Sequence, residues 1–325
     1  MQNLEMLLAG LRAAGEHTRL RILALCARGE LSVSELTQIL GQSQPRVSRH
    51  LKLLVEVGLL ERLPEGAQVY FRLTAHDNTE AAQLARALTA LLPASDAGLN
   101  RDYARLDQVR AMRAAKAQAY FEDVAEDWDS RQAPLPREQI ERRLVELVGD
   151  EPIYELLDIG TGTGRVLEIL SPQVHRGVGI DLSKEMLNVA RSNIEGSGFV
   201  NIHVRHGDMY RLPVEDNTVD LAVLHMVLHY SDDPESVIGE VQRVLRPGGR
   251  LVVVDLAAHS LESLRTNYNH HRLGFTDPEM LRYCAAAGLV DAARVDQIPG
   301  DELTVRFWQA RSRETVRSIR PQSHS

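Results

Sequence analysis

Residues 156–165, LLDIGTGTGR, decide the fold of the larger part of this 325-residue chain. An apolar strand pattern runs through Ile159 into a loop with glycine at alternate positions, and a helical pattern begins at Arg165. A dinucleotide-binding loop needs glycine at position 165, and a phosphate-binding P-loop needs Gly-Lys-Ser/Thr. The chain has neither, so the loop is typical of a ligand that lacks a pyrophosphate.

The chain from residue 153 onward alternates short apolar strands with helical stretches. Such alternation is typical of parallel βαβ units and predicts an α/β doubly wound, Rossmann-like sheet. Two stretches near the end, 289–298 and 304–310, predict a hairpin that closes this sheet. The predicted parallel strands are Tyr154–Ile159, Gly177–Ile180, Ile202–Arg205, Leu221–Leu224 and Arg250–Val254.

Residues 158–164, DIGTGTG, resemble the first motif of class I S-adenosylmethionine (SAM) methyltransferases. Further matching stretches follow in the same order: GIDLS at 179–183, GDM at 207–209, a strand beginning at Asp220, and RPGGRL at 246–251. In that family the glycines approach the methionine part of SAM, the acid after the second strand accepts the ribose hydroxyls, and the third stretch binds adenine. The resemblance implies SAM as cofactor and implies these cofactor-binding residues: Tyr120, Asp158, Gly160, Thr161, Gly162, Gly164, Asp181, Leu182, Asp208 and Met209.

The acceptor site in this fold lies beyond the fourth strand, where residues 225–234 read HMVLHYSDDP. His225 and His229 are candidate catalytic bases, because methyl transfer from a sulfonium needs alignment and sometimes a base. His270 and His271 are further candidates. The alternative is that these imidazoles have structural roles. No spacing among them is diagnostic of a metal site, so no metal is expected.

Several classes of acceptor disagree with the sequence. DNA amino-methyltransferases carry an Asn/Asp-Pro-Pro-aromatic motif after the fourth strand, and cytosine-C5 enzymes use a Pro-Cys nucleophile. The chain has neither motif: HYSDDP follows the fourth strand at 229–234, and Cys284 follows Tyr283 rather than a proline. Arsenite methylation uses several thiols, whereas this chain has two distant cysteines, Cys26 and Cys284. A small organic molecule is therefore the expected acceptor.

The first 75 residues have a different pattern: helix, glycine turn, helix and hairpin, which is the order of a winged helix-turn-helix. SVSE at 32–35 is a capping box, and Val47, Leu51 and Leu54 form the buried stripe of the next helix. Arginine and glutamine read bases, whereas hydroxyls and lysine suit phosphates. The alternative is a helical bundle with a solvated basic face. The predicted DNA-binding residues are Ser43, Gln44, Arg46, Ser48, Arg49, Lys52, Arg62 and Arg72.

The charge of the chain is unevenly distributed. The net charge of −8 on its own argues against a nucleic-acid partner. Residues 1–75, however, hold nine Lys/Arg and seven Asp/Glu, a net charge of +2, so residues 76–325 carry −10. The acidity therefore belongs to the larger part, and the small N-terminal part remains compatible with DNA.

HTRLRIL at 17–23, SQPRVSRHLKLL at 43–54 and GLL at 58–60 resemble the ArsR/SmtB family of dimeric repressors. The resemblance implies a homodimer on a palindromic double-stranded operator, with each recognition helix in a major groove. Many members bind metal through thiolates in Glu-Leu-Cys-Val-Cys-Asp-Leu, whereas residues 30–36 here read ELSVSEL. Hydroxyls are poor ligands for a soft ion, so a metal sensor is not expected.

The expected organisation is multidomain: a mainly-α winged helix-turn-helix for DNA binding and dimerisation at 1–93, a linker helix at 94–117, and a methyltransferase domain at 118–325. Residues 120–129 resemble a lid segment, in which Tyr120 either contacts the SAM carboxylate or packs at the domain edge.

Two hypotheses follow for the function. One is a regulator with a SAM-binding domain that methylates a small molecule, acts as a sensor of SAM or its product S-adenosylhomocysteine (SAH), or does both. The other is a methyltransferase whose winged helix serves mainly dimerisation. Isolated cysteines and the lack of a membrane-length apolar run predict a cytoplasmic chain with no membrane partner.

Overall fold

The computed structural model describes residues 4–65, 68–74, 79–131, 135–268 and 270–314. The chain divides into two compact units, Met1–Lys116 and Ala117–Ser325. No helix in the described ranges combines the length and the apolar character that a membrane span requires.

The N-terminal unit is a winged helix-turn-helix, as the sequence predicts. Its capping box is present, since Ser32 Oγ accepts from Glu35 N and the Glu35 carboxylate accepts from Ser32 N. Gly41 ends that helix in a left-handed conformation with φ +64°. The elements are α1 (Leu4–Ala14), α2 (His17–Cys26), β1 (Leu31–Ser32), α3 (Val33–Leu40), α4 (Gln44–Glu56), β2 (Leu60–Glu65), β3 (Gln68–Leu73), α5 (Glu80–Ala90) and the first part of α6 (Ala97–Arg131).

The early residues of α6 belong to the core of this unit. Leu106 and Val109 are buried among the apolar residues of α2, α3 and α4. The buried carboxylate of Asp102 accepts two hydrogen bonds from Arg21, at 2.5 and 2.6 Å. The sequence predicts a linker helix at 94–117, and these contacts show that its early residues also pack on the N-terminal unit.

The second unit is built on the predicted doubly wound sheet. Strands run in the order β6-β5-β4-β7-β8-β10-β9, and the first five are mutually parallel. The hairpin predicted near the end of the chain is present, and its second strand pairs antiparallel with β8. The elements are α7 (Arg137–Val148), β4 (Ile153–Ile159), α8 (Arg165–Leu170), β5 (Val174–Asp181), α9 (Lys184–Ser197), β6 (Ile202–His206), β7 (Val219–His225), α10 (Pro234–Val244), β8 (Leu245–Leu256), α11 (Glu262–Tyr268), α12 (Asp277–Ala286), β9 (Val290–Pro299) and β10 (Thr304–Arg311).

Apolar residues cover both faces of this sheet. One cluster joins the sheet to α7, α8 and α9, and the other joins it to α10 and α12. Burial on both faces explains the continuous apolar strands of the sequence. In an open parallel sheet of this kind, ligands bind beyond the carboxyl ends of the strands, where the strand order reverses. The glycine loop follows β4, which lies at that reversal.

Candidate functional site

The loop between β4 and α8 brings open backbone to the carboxyl edge of the sheet. Gly160 and Gly162 have φ values of +71° and +53°, a region that favours glycine. A Cβ on Gly160 would lie 2.2 Å from a methyl group of Val227, whereas a Cβ on Gly162 would meet nothing within 4 Å. The backbone at Gly162 therefore borders space in which a ligand can approach closely.

Asp158 lies beneath this loop with an unsatisfied oxygen. Its Oδ2 accepts a hydrogen bond from Thr161 Oγ1 at 2.6 Å, whereas its Oδ1 is buried and has no partner. Burial raises the pKa of Asp158 to about 7, the Thr161 hydrogen bond opposes this shift, and the charge of Asp181 adds to it. A cationic ligand beside a buried carboxyl group stabilises its ionised form.

Asp181 ends β5 and faces the same loop. Its Oδ2 accepts from Gly162 N at 2.8 Å, and its Oδ1 accepts from Ser183 N at 2.8 Å. A carboxylate has about four acceptor sites, so two lone-pair directions remain after these bonds. The side chain is thereby fixed while it keeps capacity for two further donors. The next residue, Leu182, is 65% exposed, which leaves an apolar side chain beside the carboxylate.

Asp208 and Met209 follow β6 at the same edge of the sheet. Gly207 N donates to Asp181 O at 3.0 Å, which joins this loop to the end of β5. Asp208 is exposed, and its Oδ1 accepts from Tyr210 N at 3.0 Å. Met209 is partly buried and packs against the apolar cluster that joins the sheet to α10 and α12. The side chain of Tyr120 lies outside the described residues.

These groups fit the parts of SAM. The unpartnered Oδ1 of Asp158 suits an ammonium group, and the remaining acceptor capacity of Asp181 suits a vicinal diol. Leu182 offers an apolar surface to a flat base, and Asp208 offers an acceptor to an exocyclic amine. The structure therefore brings the predicted loop residues together at one edge of the sheet, Tyr120 excepted.

His229 forms a buried pair with an acid that the sequence interpretation missed. Its Nδ1 lies 2.7 Å from Asp255 Oδ1, and both side chains are almost fully buried. Asp255 Oδ2 accepts from Leu228 N at 2.9 Å and from His229 N at 3.3 Å. A carboxylate is an acceptor, so this contact favours the tautomer in which His229 Nδ1 carries the proton and Nε2 is the acceptor nitrogen. The only sequence signal of Asp255 is an acid at the end of the apolar stretch 251–256.

His225 and His270 also lie close to Asp255. Burial lowers the pKa of His225 to about 4, although Asp255 and Glu141 act in the opposite direction. Burial and the neighbouring His229 lower the pKa of His270 to about 4. Both imidazoles are therefore neutral at pH 7, and His225 Nε2 and His270 Nδ1 are buried without a partner. Among the described residues, no group of three or more His, Cys, Asp or Glu is arranged to hold a metal ion.

The outer face of α4 carries the predicted DNA-reading side chains. Val47, Leu51 and Leu54 are buried, as predicted. Ser43 is the N-cap residue but makes no side-chain cap bond, so its hydroxyl is available to a ligand. The predicted DNA-binding residues that are exposed on or beside α4 are Ser43, Gln44, Arg46, Ser48, Arg49 and Lys52.

Arg72 does not lie on the DNA-facing surface that the sequence predicts for it. It is 4% exposed, and its Nε donates to Glu61 Oε2 at 2.8 Å. Strand β1 pairs with β3, so β3 is the central strand of a three-stranded sheet. The guanidinium is therefore part of the fold. Arg62 lies on the edge strand β2 and is exposed, as a contact with DNA requires.

The helix α1 presents an apolar surface to solvent. Gly10 and Ala14 of this helix are buried, whereas much of the rest is uncovered. A cavity of about 250 Å³ lies between α1 and α5. The exposed apolar residues of α1 are Leu4, Met6, Leu7, Leu8 and Leu11.

Two family descriptions match this chain, one in each unit. Residues 16–62 match the family described as "Bacterial regulatory protein, arsR family". Residues 157–253 match the family described as "Methyltransferase domain". The chain therefore carries an ArsR-type helix-turn-helix followed by a methyltransferase domain, which confirms the resemblances seen in the sequence.

Several relatives are named as methyltransferases. The "Uncharacterized methyltransferase YcgJ" of Bacillus subtilis is 34% identical over 130 residues, which is 40% of this chain and 51% of that protein. An "Arsenite methyltransferase" of Aquipseudomonas alcaligenes is 30% identical over 186 residues, 48% of this chain and 52% of that protein. The chain thus spans about half the length of these relatives. The crystal structure of YcgJ matches 55% of this chain and all of its own, with a TM-score of 0.50 and 20% identity, which supports the fold.

Proposed function

We propose that this chain is a homodimeric, cytoplasmic DNA-binding regulator whose second domain binds SAM and SAH and methylates a small organic acceptor. The domain limits in this proposal are 1–93 and 118–325, joined by a helix at 94–117 whose early residues pack on the N-terminal unit. Its partners are double-stranded operator DNA, SAM or SAH, and the acceptor. Regulation and methyl transfer are then linked through one cofactor. Cofactor binding shifts DNA affinity only if the cofactor binds the DNA-competent conformation and the incompetent conformation with different affinities.

The observation that carries the regulatory part is the surface of α4. Its exposed side chains combine base-reading Arg46, Arg49 and Gln44 with hydroxyls suited to phosphates. No acid occurs between Glu35 and Glu56, so most of the helix offers no repulsion to the DNA backbone.

The cofactor site supports the second part. SAM supplies an electrophilic methyl group on a sulfonium. Asp158 would hold its ammonium group and Asp181 its ribose hydroxyls, while the glycine backbone lies along the methionine part. Leu182 and Asp208 would contact adenine, together with the Met209 amide. The buried, unpartnered Asp158 Oδ1 is the feature that most requires a cationic ligand.

For the transfer step we propose His229 as the base and His225 as a second polar contact for the acceptor. His229 suits this role because Asp255 holds its Nδ1 and leaves Nε2 free. Although two relatives are named as arsenite methyltransferases, Cys26 and Cys284 are both buried and lie in different units. Burial raises the pKa of both thiols, which disfavours thiolate chemistry.

A second candidate function is a methyltransferase whose winged helix serves mainly dimerisation. The exposed apolar surface of α1 favours it, because such a surface is typical of a protein interface. This hypothesis and the regulator hypothesis differ in whether the chain binds DNA in a sequence-specific manner.

The decisive experiment measures binding of the full chain to the DNA upstream of its own gene, at fixed salt, with no ligand, with SAM and with SAH. We expect specific binding that changes with at least one ligand. Specific binding that neither SAM nor SAH alters would exclude a role as a sensor of these ligands. If scrambled DNA competes as well as the upstream DNA, the result would favour the hypothesis that the winged helix serves mainly dimerisation.

A further inference from the structure

Tyr210 joins the loop assigned to adenine to the post-β7 segment, residues Leu228–Asp233. Its backbone N donates to Asp208 Oδ1 at 3.0 Å, so it lies directly beside the acceptor group proposed for adenine. Its hydroxyl Oη lies 2.8 Å from Ser231 Oγ and accepts from Asp232 N at 2.9 Å. Strands β6 and β7 are not neighbours in the sheet. This one side chain therefore spans two loops that strand pairing does not join.

The hydroxyl of Tyr210 fixes the end of the post-β7 segment through a small network. Because it accepts from Asp232 N, its own proton can be donated to Ser231 Oγ. Ser231 is fully buried, and its Oγ also accepts from Asp233 N at 3.1 Å. The Asp233 side chain in turn accepts from Ser236 N and caps α10. Removal of the Tyr210 hydroxyl would take away the partner that the Asp232 amide has here.

The beginning of the post-β7 segment is held independently of Tyr210. Asp255 Oδ2 accepts from Leu228 N at 2.9 Å and from His229 N at 3.3 Å, and Asp255 is buried. The segment is thus tied at its beginning to β8 and at its end to the loop after β6. The tie through Tyr210 lies beside Asp208, a residue assigned to the cofactor, whereas the tie through Asp255 is buried in the sheet.

Resting on the SAM binding and methyl transfer proposed above, we propose that Tyr210 is a positioning residue that couples occupancy of the adenine site to the order of the post-β7 segment. Adenine bound at Asp208 and Met209 restrains the turn that contains Tyr210. The hydroxyl then holds the end of the segment more persistently. Because His229 belongs to the same segment, the proposed base is held more firmly in place when the cofactor is bound.

A tether of this kind has two consequences that are equal in size. A ligand that disfavours a local opening equilibrium is coupled to the segment that opens. Coupling free energies are reciprocal, so the factor by which SAH suppresses opening is also the factor by which loss of the tether weakens SAH binding. One hydrogen bond of ordinary strength sets this factor at roughly fivefold. A hydroxyl with a purely structural role would leave SAH affinity unchanged.

The test measures hydrogen exchange of the full chain, with and without saturating SAH, at single-residue resolution in the post-β7 segment. The amides of Asp232 and Asp233 report the tether. The amides of Leu228 and His229 are the internal reference, because a different side chain holds them. We expect SAH to slow exchange at the first pair of amides roughly fivefold more than at the second pair.

Tyr210→Phe removes only the hydroxyl. In this variant the extra protection should disappear, and SAH affinity, measured by isothermal titration calorimetry, should fall by about the same factor. Ser231→Ala keeps the bond to the Asp232 amide but removes the other partner of the hydroxyl, so part of both effects should remain. Tyr154→Phe is the matched control and should behave as the parent does, because Tyr154 is an exposed tyrosine near the beginning of β4, at the opposite end of the sheet from the carboxyl edge.

Equal slowing at both pairs of amides in the parent protein would overturn the coupling role of Tyr210, because SAH would then stabilise the segment as a whole. Extra protection that survives in folded Tyr210→Phe would overturn it as well, as would an SAH affinity that this substitution leaves unchanged. A Ser231→Ala variant that matches the parent in both measurements would also contradict the proposal.

Failure of the parent protein to bind SAH would instead remove the proposed methyltransferase function, and this proposal with it. Normal SAH binding without the local protection overturns the role of Tyr210 alone, so the two failures are distinguishable in one series of measurements. Circular dichroism checks that each variant is folded.

Discussion

The recognition helix α4 and the carboxyl edge of the large sheet are both polar surfaces, but they place their charges oppositely. On α4 most polar side chains are exposed, and the apolar stripe of Val47, Leu51 and Leu54 packs the helix on the core. At the sheet edge the key groups Asp158 and Asp255 are buried, and backbone or side-chain donors fix them.

This difference follows from the two kinds of ligand. DNA is a large polyanion that meets a surface, so affinity comes from many solvated cations and falls steeply with salt. A small cofactor is enclosed, and a few desolvated groups determine its affinity because each unsatisfied one costs free energy. The predictions below therefore test whether burial or exposure decides the role of each charged residue.

The largest effect is expected from Arg72, an arginine of the winged unit that is buried. Arg72→Met leaves the carboxylate of Glu61 without the partner that now lies 2.6 Å away. Breaking a buried ion pair typically costs about 3–5 kcal/mol. We expect this loss of stability in hydrogen exchange of peptides that span β2 and β3. Arg62→Met, on the exposed edge strand, is the control and should change that exchange little. Equal protection in the two variants would contradict the structural role of Arg72.

The contrast between Arg62 and Arg72 also marks the limit of sequence interpretation. The sequence predicts both Arg62 and Arg72 as DNA-binding residues. The two-residue strand β1 is too short to recognise from a pattern, yet its pairing with β3 makes β3 a central strand. The order of elements, the capping box and the buried stripe of α4 were predictable because each is set by local chemistry.

The same distinction applies to the second unit. The glycine loop and the parallel strands were predictable, because short motifs and apolar runs encode them. Asp255 was not, since its role depends on contacts with Leu228 and His229 that only the folded sheet provides. The unpartnered oxygen of Asp158 likewise becomes visible only once every neighbour is placed.

The second prediction concerns Asp181, which lies between the two extremes of burial. Asp181→Ala removes the two proposed ribose contacts and the acceptor for Gly162 N. Hydrogen bonds to a charged group contribute about 1.5–3 kcal/mol each, so the loss of two should lower SAM affinity at least roughly 100-fold. Equilibrium dialysis with labelled SAM measures this. Asp150→Ala, an exposed acid before β4, should bind SAM as the parent does. Parent-like affinity of Asp181→Ala would exclude the ribose role.

The third prediction concerns Arg49 on the exposed surface of α4. Arg49→Ala should weaken operator binding by about 1–3 kcal/mol at fixed salt if the side chain reads a base. Fluorescence anisotropy with operator and scrambled DNA separates base reading from a phosphate contact, which would weaken both. Arg101→Ala, an exposed arginine of α6, is the control. An unchanged operator affinity would remove Arg49 from the DNA interface.

The smallest effect is expected from the protonation of Asp158, and it sharpens the comparison most directly. The pKa of this carboxyl is raised to about 7, so the free protein carries it largely protonated at pH 6 and largely ionised at pH 8. A cationic ammonium binds the ionised form, so SAM binding at low pH must first release the proton. Affinity should therefore rise about five- to tenfold between pH 6 and pH 7.5. Asp158→Asn has no such proton and should bind SAM weakly with little pH dependence over this range.

A parent protein whose SAM affinity does not change with pH would mean that Asp158 does not hold the ammonium group. An exposed carboxylate on the DNA-binding unit would give no comparable dependence, because solvent keeps it ionised throughout this range.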